Sequence, residues 1–424
     1  MVRLIHSADW QLGAKFTQFA SKGAVLREAR LSTLDRMLAL AGKHEADAVL
    51  FAGDLFEDNQ VDDALVAGVL DRFRAHPSLP IYILPGNHDP HTGPESVWQR
   101  KAFLAAPGNV HVFREAAVID LGGKARLLAA PLHQKQSTTD PSLKLAELAA
   151  GVPGEFIKIG LTHGALAIES KHQPNDFPIA LNAASRAGLD YLAVGHWHNW
   201  LADTDGGRIV MPGTPEPDRF GNDDSGHVAL VEIDGPGQAP RVRKLPVATI
   251  DWRAYTFDFV DVVSSRATLS AALSELAPAA SRTVLRVTLS GIASPAALAE
   301  TRAWLAPALA PFLVGQLRDE TRVALTPAEL ADLQARHPIL AQVLADIDRL
   351  ESFAGGTPPL SPVRAIDDIA GPAAPASPPT LAPLALADAQ ALLAAAKIDL
   401  TQLTPEWFAR LRQTLLQTLQ EVTS

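Results

Sequence analysis

Short apolar runs at residues 2–6, 48–52, 81–84, 157–162 and 191–194 each stop abruptly at a polar or glycine-containing turn. Runs this brief, apolar at nearly every position rather than at alternate ones, read as strands buried on both faces. Between them, residues 27–43 and 62–75 set Leu, Val and Met at helical spacing, so they read as helices covering a sheet. Residues 117–121 and 125–129 flank Gly122-Gly123 and read as a hairpin. Up to about residue 234 the chain is therefore expected to be α/β.

Composition narrows the chemistry open to such a fold. Cysteine is absent, which excludes disulfides, thiolate zinc sites, iron–sulfur clusters and cysteine nucleophiles. A metal must then be held by oxygen and imidazole. No uninterrupted apolar run reaches the roughly 18 residues of a membrane span, and the N-terminus turns polar too soon for the apolar core of a signal peptide, so a cytoplasmic protein is expected. The formal charge of -10 argues against a strong autonomous grip on nucleic acid, leaving a local basic patch or a basic partner to supply one.

The residues that carry chemistry sit where open α/β sheets place their ligands, just past the carboxyl ends of the strands. The first strand runs into Ser7-Ala8-Asp9-Trp10-Gln11-Leu12-Gly13 and the second into Gly53-Asp54-Leu55-Phe56-Glu57. Later ones run into Gly86-Asn87-His88-Asp89, Thr162-His163-Gly164 and Gly195-His196-Trp197-His198. Singly, these Asp residues could cap helices, Asn87 could serve a turn and His163 could be structural. Jointly they outline a site for two divalent cations sharing one carboxylate. Two such ions about 3.5–4 Å apart can clamp the attacking and leaving oxygens of a phosphoryl transfer and acidify a bound water.

In this order the motifs resemble the calcineurin-like metallophosphoesterases, and within them the SbcD-type DNA repair exonuclease subunits. The opening His6-Ser7-Ala8-Asp9-Trp10-Gln11-Leu12-Gly13 and the later Pro212-Gly213-Thr214-Pro215-Glu216, followed by Arg219-Phe220-Gly221, are similar to that branch. The resemblance implies a sandwich of two packed mixed sheets flanked by helices, a smaller α+β capping domain and C-terminal helices. It places one metal on Asp9, Asp54 and His198 and the other on Asp54, Asn87, His163 and His196, with Asp54 bridging. His88 would protonate the leaving oxygen or stabilise charge on the phosphoryl group, a role suited to imidazole. Asp89 is read as orienting the neighbouring loop. The family's first motif reads Asp-x-His, whereas Gln11 holds the second ligand position here. An amide oxygen suits hard cations, so a weaker first metal and a preference for Mn²⁺, with Mg²⁺ as the alternative, are expected.

The resemblance further implies a metal-dependent DNA nuclease, a nucleoid-associated homodimer partnered by an SMC-like ATPase of the SbcC type. A stand-alone phosphodiesterase or phosphatase for small esters and a non-catalytic assembly subunit are the competing readings. Trp10 and Trp197 read as packing residues, Lys15, Lys22, Arg27 and Arg30 as a solvated helix face, and His91, His133, His172 and His227 as scaffold or surface. His6 is placed close behind the site.

The expected organisation is a phosphoesterase domain over residues 1–250 and an α+β domain over 251–323, with strands at 256–263 and 284–289 and helices at 269–276 and 295–309. A helical segment follows at 324–354, with a possible bend at Pro338. Residues 355–384, rich in Pro and Ala, form a flexible linker, and 385–424 form a last helical segment suited to docking on this chain or a partner.

Overall fold

The computed structural model describes residues 1–169, 171, 173–323, 327–336, 342–348 and 351, together with 404, 407–408 and 411–412. The chain divides into two compact units, the first comprising Met1–Arg253, Ala279–Leu285 and Phe312–Val314.

The first unit is built on two six-stranded mixed sheets. One contains β1 (Val2–Ser7), β2 (Ala48–Ala52), β3 (Ile81–Leu84) and β4 (Val110–Val112). The other begins with β5 (Ala117–Leu121), β6 (Ala125–Ala129), β7 (Ile157–His163), β8 (Tyr191–Gly195), β9 (Leu201–Thr204) and β10 (Ile209–Met211). The chain then returns to the first sheet through β11 (His227–Ile233) and β12 (Arg241–Pro246). Strand order is β12-β11-β1-β2-β3-β4 in the first sheet and β5-β6-β7-β8-β10-β9 in the second. Parallel pairing joins β1 through β4, and again β6 through β8, so these strands share one carboxyl-terminal edge within each sheet.

The unbroken apolar runs follow from this layering. Alternate residues of a strand face opposite ways, so a strand between two cores needs apolar side chains on both. Leu4, Leu50 and Leu84 enter the core between the sheets, where they meet Leu127, Ile159 and Tyr191. Their neighbours Ile5, Val49 and Ile83 enter the core beneath α1 (Gly23–Lys43) and α2 (Asp63–Arg74), which supply Leu34, Met37, Leu38, Val66 and Phe73. The far face of the second sheet is covered by the helix Ser142–Ala150 through Leu145 and Ala149. The result is a helix–sheet–sheet–helix sandwich, the architecture that the resemblance implies.

Two polar anchors lie inside it. Arg30, expected on a solvated helix face, is instead buried at 1% exposure. Its guanidinium donates to the Trp10 carbonyl at 2.9 Å and the Glu216 carbonyl at 2.8 Å, tying the first chemical motif to α1 and to the Pro212–Glu216 turn. The Glu216 carboxylate accepts from the Thr249 and Ile250 amides at 2.8 and 3.0 Å and from the Thr33 hydroxyl. These bonds to charged groups hold the exit from β12 against α1.

The second unit comprises Ala254–Pro278, Arg286–Pro311 and the described residues from Gly315 onward. A three-stranded sheet is formed by Asp251–Asp258, Thr283–Ser290 and Val314–Asp319, with helices Val262–Leu276 and Pro295–Leu309 between its strands. The strand expected at 256–263 thus ends earlier, and the following helix starts earlier than residue 269. The reason is Asp261, whose carboxylate accepts the Ser264 amide at 3.0 Å and caps the helix. The β-branched Val262 and Val263 behind that cap read as strand by propensity but occupy the first helical turn. A further helix spans Pro327–Arg336. Pro338, the linker and residues 385–396 lie outside the described residues, as does most of the last segment. Arg412 of that segment pairs with Asp348 at 2.7 Å and with Glu351, so at this point it docks on its own chain.

His6 on β1 generates a pH dependence. The ring is fully buried, with Nδ1 2.7 Å from the Tyr191 hydroxyl, and burial pushes its pKa down to about 3. The unfolded chain therefore binds a proton that the folded chain refuses between pH 6.5 and about 3, and stability falls as pH drops through that window. Relative to His6→Asn, the wild type should lose about 2–3 kcal/mol more between pH 6.5 and 4.5, measured by urea unfolding at each pH.

Candidate metal centre

The carboxyl-terminal edges of the two sheets meet at Asp54. This requires backbones closer than side chains permit, and glycine stands at each point of contact. A Cβ on Gly53 would lie 2.2 Å from His163 Nδ1, one on Gly86 2.2 Å from Asp54 Oδ1, and one on Gly195 2.2 Å from the Ala52 carbonyl oxygen. Asp9, Gln11 and Asp54 adopt left-handed backbone angles, with φ of 55°, 38° and 54°. Such conformations are costly for non-glycine residues and concentrate at functional sites. Neither aspartate caps a helix.

Five strand ends deliver the expected side chains to one place. Single ligand atoms of Asp9, Asp54 and His163 lie within 4.8 Å of one another. His163 Nε2 is 3.4 Å from Asp54 Oδ2 and 2.8 Å from Asn87 Oδ1, and His196 Nδ1 is 2.9 Å from the same Asn87 oxygen. Gln11 Nε2 lies 3.4 Å from Asp54 Oδ2. Asp9 Oδ2 accepts the His196 amide at 3.0 Å. His198 stands beside Asp218, its Nδ1 3.4 Å from the carboxylate. His88 donates its amide to Asp54 Oδ1 at 2.9 Å.

Two features of the donor set fit divalent cations. Asp9 Oδ1 and Gln11 Oε1 are buried acceptors with no hydrogen-bond partner, and buried acceptors of this kind are normally satisfied. The charges point the same way. Burial opposes a charge on His163, yet the Asp54 carboxylate, its hydrogen bond and Asp9 raise the ring to about 9. Burial likewise opposes the charge on Asp54, and His163 holds its pKa well below the usual range. A proton on His163 thus offsets the Asp54 charge, while burial raises the pKa of Asp9, and a cation held there would take the place of that proton.

Each imidazole is oriented through its second nitrogen. His163 Nδ1 donates to the Ala52 carbonyl at 2.8 Å, leaving Nε2 toward Asn87 and Asp54. Asp176 lies 3.0 Å from His196 Nε2 and leaves Nδ1 toward Asn87, while Asp218 stands at His198 Nδ1. Asp176 and Asp218 were not read as site residues: Asp176 comes from a loop with no motif, and Asp218 sits between Glu216 and Arg219 inside a motif quoted only for its resemblance. Asp89 is fully buried and accepts the Gly86 and Phe56 amides at 2.7 and 2.9 Å, so it fixes the turn that carries Asn87. Burial, followed by the Asp54 charge, raises its pKa to about 7. Trp10 is fully buried, its indole donating to the Ser7 hydroxyl at 2.8 Å, and serves packing. His172 lies outside the described residues.

Residues 2–200 match the sequence profile of the calcineurin-like phosphoesterases. This part of the chain, just under half of it, is similar to that family. Among curated proteins, the chain is 27% identical over 300 residues to the SbcD component of nuclease SbcCD from Rhodobacter capsulatus, spanning 58% of this chain and 69% of that protein. It is 25% identical over 227 residues to the uncharacterized metallophosphoesterase YhaO of Bacillus subtilis, spanning 50% of this chain and about half, 52%, of the relative. Among solved structures, TT1561 of Thermus thermophilus matches at 12% identity and a TM-score of 0.40, with 57% of this chain and 98% of that one covered. The phosphoesterase profile ends before β9, so the Pro212–Glu216 turn and Asp218 lie beyond it.

The role of Asp176 can be separated from that of the fold. Asp176→Ala frees His196 Nε2 on a partly exposed loop, so the melting temperature should stay nearly unchanged while Mn²⁺ affinity, measured by titration calorimetry on the full chain, falls about 10–100-fold. Undiminished affinity would show that His196 needs no orienting carboxylate.

Proposed function

We propose that this chain is a metal-dependent phosphodiesterase acting on DNA, the nuclease subunit of a complex with an SMC-like ATPase of the SbcC type. The observation that carries the reading is the convergence of Asp9, Gln11, Asp54, Asn87, His163 and His196, with the His88 amide on Asp54; His198, two residues beyond His196, completes the set in this reading. In this reading these residues, Asp54 among them, would hold two divalent ions, Mn²⁺ by preference and Mg²⁺ as the alternative. When bound, such cations supply Lewis acidity to phosphoryl oxygens and acidify water.

The chain's own residues do the rest. His88 Nδ1 lies 3.1 Å from the Glu57 carbonyl oxygen, an acceptor only, so Nδ1 carries the hydrogen and Nε2 is the ring atom left for substrate. With a proton on Nε2, His88 donates to the leaving oxygen as the ester bond breaks. The His88 amide and the Asp54 carboxylate are already joined, which fixes that ring relative to the shared ligand. Asp89 and Gly86 set the turn, and Asn87 offers its amide oxygen between His163 and His196.

DNA as the substrate is supported by the likeness to the SbcD component of nuclease SbcCD and by the wording of the opening and Pro212–Glu216 motifs. A cleft of about 580 Å³ opens beside the first motif, lined by Leu12, Gly13, Lys15, Arg27, Glu28 and Asp58 among others. Its mixed charge gives a phosphate backbone only a weak hold, in keeping with the net charge of -10 and with a partner that supplies most of the affinity for DNA. The helical segments after Thr326, with residues 405–422 among them, are the proposed docking segment for that ATPase. Two copies facing one duplex, in the cytoplasm at the nucleoid, complete the reading. No helix among the described residues is long and apolar enough to cross a membrane.

The decisive assay compares turnover of single- and double-stranded oligonucleotides with bis(p-nitrophenyl) phosphate, using the full chain and Mn²⁺. Oligonucleotide cleavage is expected, and His88→Ala should lower it about 10²–10⁴-fold with Mn²⁺ still bound. Turnover of the small ester alone would transfer the assignment to a stand-alone phosphodiesterase. Activity equal to wild type in His88→Ala would remove the acid role.

Gln11 supplies a separate check. Replacing its amide oxygen by imidazole in Gln11→His should tighten Zn²⁺ and Co²⁺ more than Mn²⁺, because imidazole is the better donor for softer ions. Equal changes for all three metals would contradict the reading of Gln11 as a ligand.

A further inference from the structure

A second group of metal-type side chains lies outside the centre described above. His91, Glu115 and His133 each offer one ligand atom, and these atoms lie within 4.8 Å of one another. They come from three separate connections: His91 shortly after the Gly86–Asp89 turn, Glu115 between β4 and β5, and His133 just beyond β6. The sequence alone reads both histidines as scaffold or surface.

The hydrogen bonds around the rings are those that orient metal ligands. His91 Nδ1 lies 2.9 Å from the Arg114 carbonyl oxygen, and His133 Nδ1 lies 3.2 Å from the His91 carbonyl oxygen. A carbonyl only accepts, so both Nδ1 atoms carry hydrogen and both Nε2 atoms keep a lone pair. Donation from the non-ligating nitrogen to a backbone carbonyl is the support that metal-bound histidines generally have.

That support is itself anchored. The Arg114 guanidinium donates to the carbonyls of Trp98 and Phe103, and the His91 amide donates to the Leu132 carbonyl at 2.9 Å. His133 Nε2 stands 3.9 Å from Glu115 Oε2. His91 Nε2 lies 2.8 Å from the Gln99 side-chain nitrogen, whose N–H donates to the lone pair that an ion would take. Burial lowers the His91 pKa, which keeps that ring in the neutral form a metal requires.

We propose that His91, Glu115 and His133 form a zinc site, distinct from the phosphoesterase centre, that fastens the loop bearing Asn87 and His88 to the connections after β4 and β6. Two imidazoles and one carboxylate, with a fourth position open to water, are a zinc donor set, whereas magnesium and manganese favour oxygen. Tetrahedral zinc at its usual bond lengths needs ligand atoms about 3.3 Å apart. The 3.9 Å gap between His133 and Glu115 closes by a small rotation, since these side chains are 47% and 80% exposed. Gln99 yields its place on His91 when the ion enters. The proposal does not depend on the nature of the substrate.

The test uses the full chain, stripped with chelator and loaded with zinc chloride alone. Bound zinc is counted by metal analysis after desalting, and crystals soaked in zinc chloride are measured at the zinc absorption edge. We expect an anomalous peak between His91, Glu115 and His133, and one zinc fewer per chain in both His133→Ala and Glu115→Gln. Both substitutions are at exposed side chains, and circular dichroism of the stripped variants checks that they fold. No peak at this position, or the wild-type zinc count in both variants, overturns the proposal.

Discussion

The structure depends on one steric constraint: two sheets must bring their strand ends together closely enough for side chains from both to reach Asp54. Gly53, Gly86 and Gly195 make that possible, because a methyl group at any of them would overlap His163, Asp54 or the Ala52 carbonyl. The same closeness turns the chain at Asp9 and Asp54 into left-handed conformations that extended backbone could not continue. The strain is spread over residues whose amides and carbonyls are tied across the motifs, as in the Asp9 amide to the Gly53 carbonyl at 3.2 Å and the Gln11 amide to the Asp54 carbonyl at 3.0 Å. Rigid strands on either side hold it, which a loop-built site could not do.

The electrostatics follow from the sterics. Crowded strand ends exclude water, so Asp9 and Asp54 face each other in a setting where a bare pair of carboxylates is strongly disfavoured. Within the chain the compensation comes from His163, held charged by both. Around this inner set stands an outer ring, Ala52, Asp176, Asp218 and Asp89, which fixes which nitrogen or oxygen each inner residue presents. The arrangement fixes geometry at the cost of leaving Asp9 Oδ1 and Gln11 Oε1 without partners.

Much of this was legible in the chain because burial on both faces leaves an unmistakable mark. β2, β3 and the β5–β6 hairpin carry apolar or hairpin patterns whose ends coincide with those of the observed strands. The inner site residues were legible for a related reason, since each sits at the carboxyl end of such a strand or within a few residues of it. Residues that act from a distance left no mark. Asp176 meets His196, and Asp218 meets His198, only through tertiary packing. Arg30 lies four residues from Leu26 and from Leu34 on the buried face of α1, but its charge reads as solvated; the Trp10 and Glu216 carbonyls accept from it there. At the 256–263 segment, β-propensity of the valines competed with a single capping aspartate, and the cap prevailed.

Gln11 shows how one departure from a motif alters a site without dismantling it. An imidazole at that position would add a further titratable ring near Asp54, beside His163 and His88, and its proton would compete with a cation as pH falls. The amide carries no such proton. Its oxygen is buried without a hydrogen-bond partner and its nitrogen rests 3.4 Å from Asp54, on a backbone with φ of 38°. In the proposed reading the amide is the weaker donor on an unchanged backbone, and the charge rests on Asp9, Asp54 and His163. A site that had lost its use would have no reason to keep buried acceptors unpaired and a backbone in left-handed angles, because relaxing either would stabilise the fold.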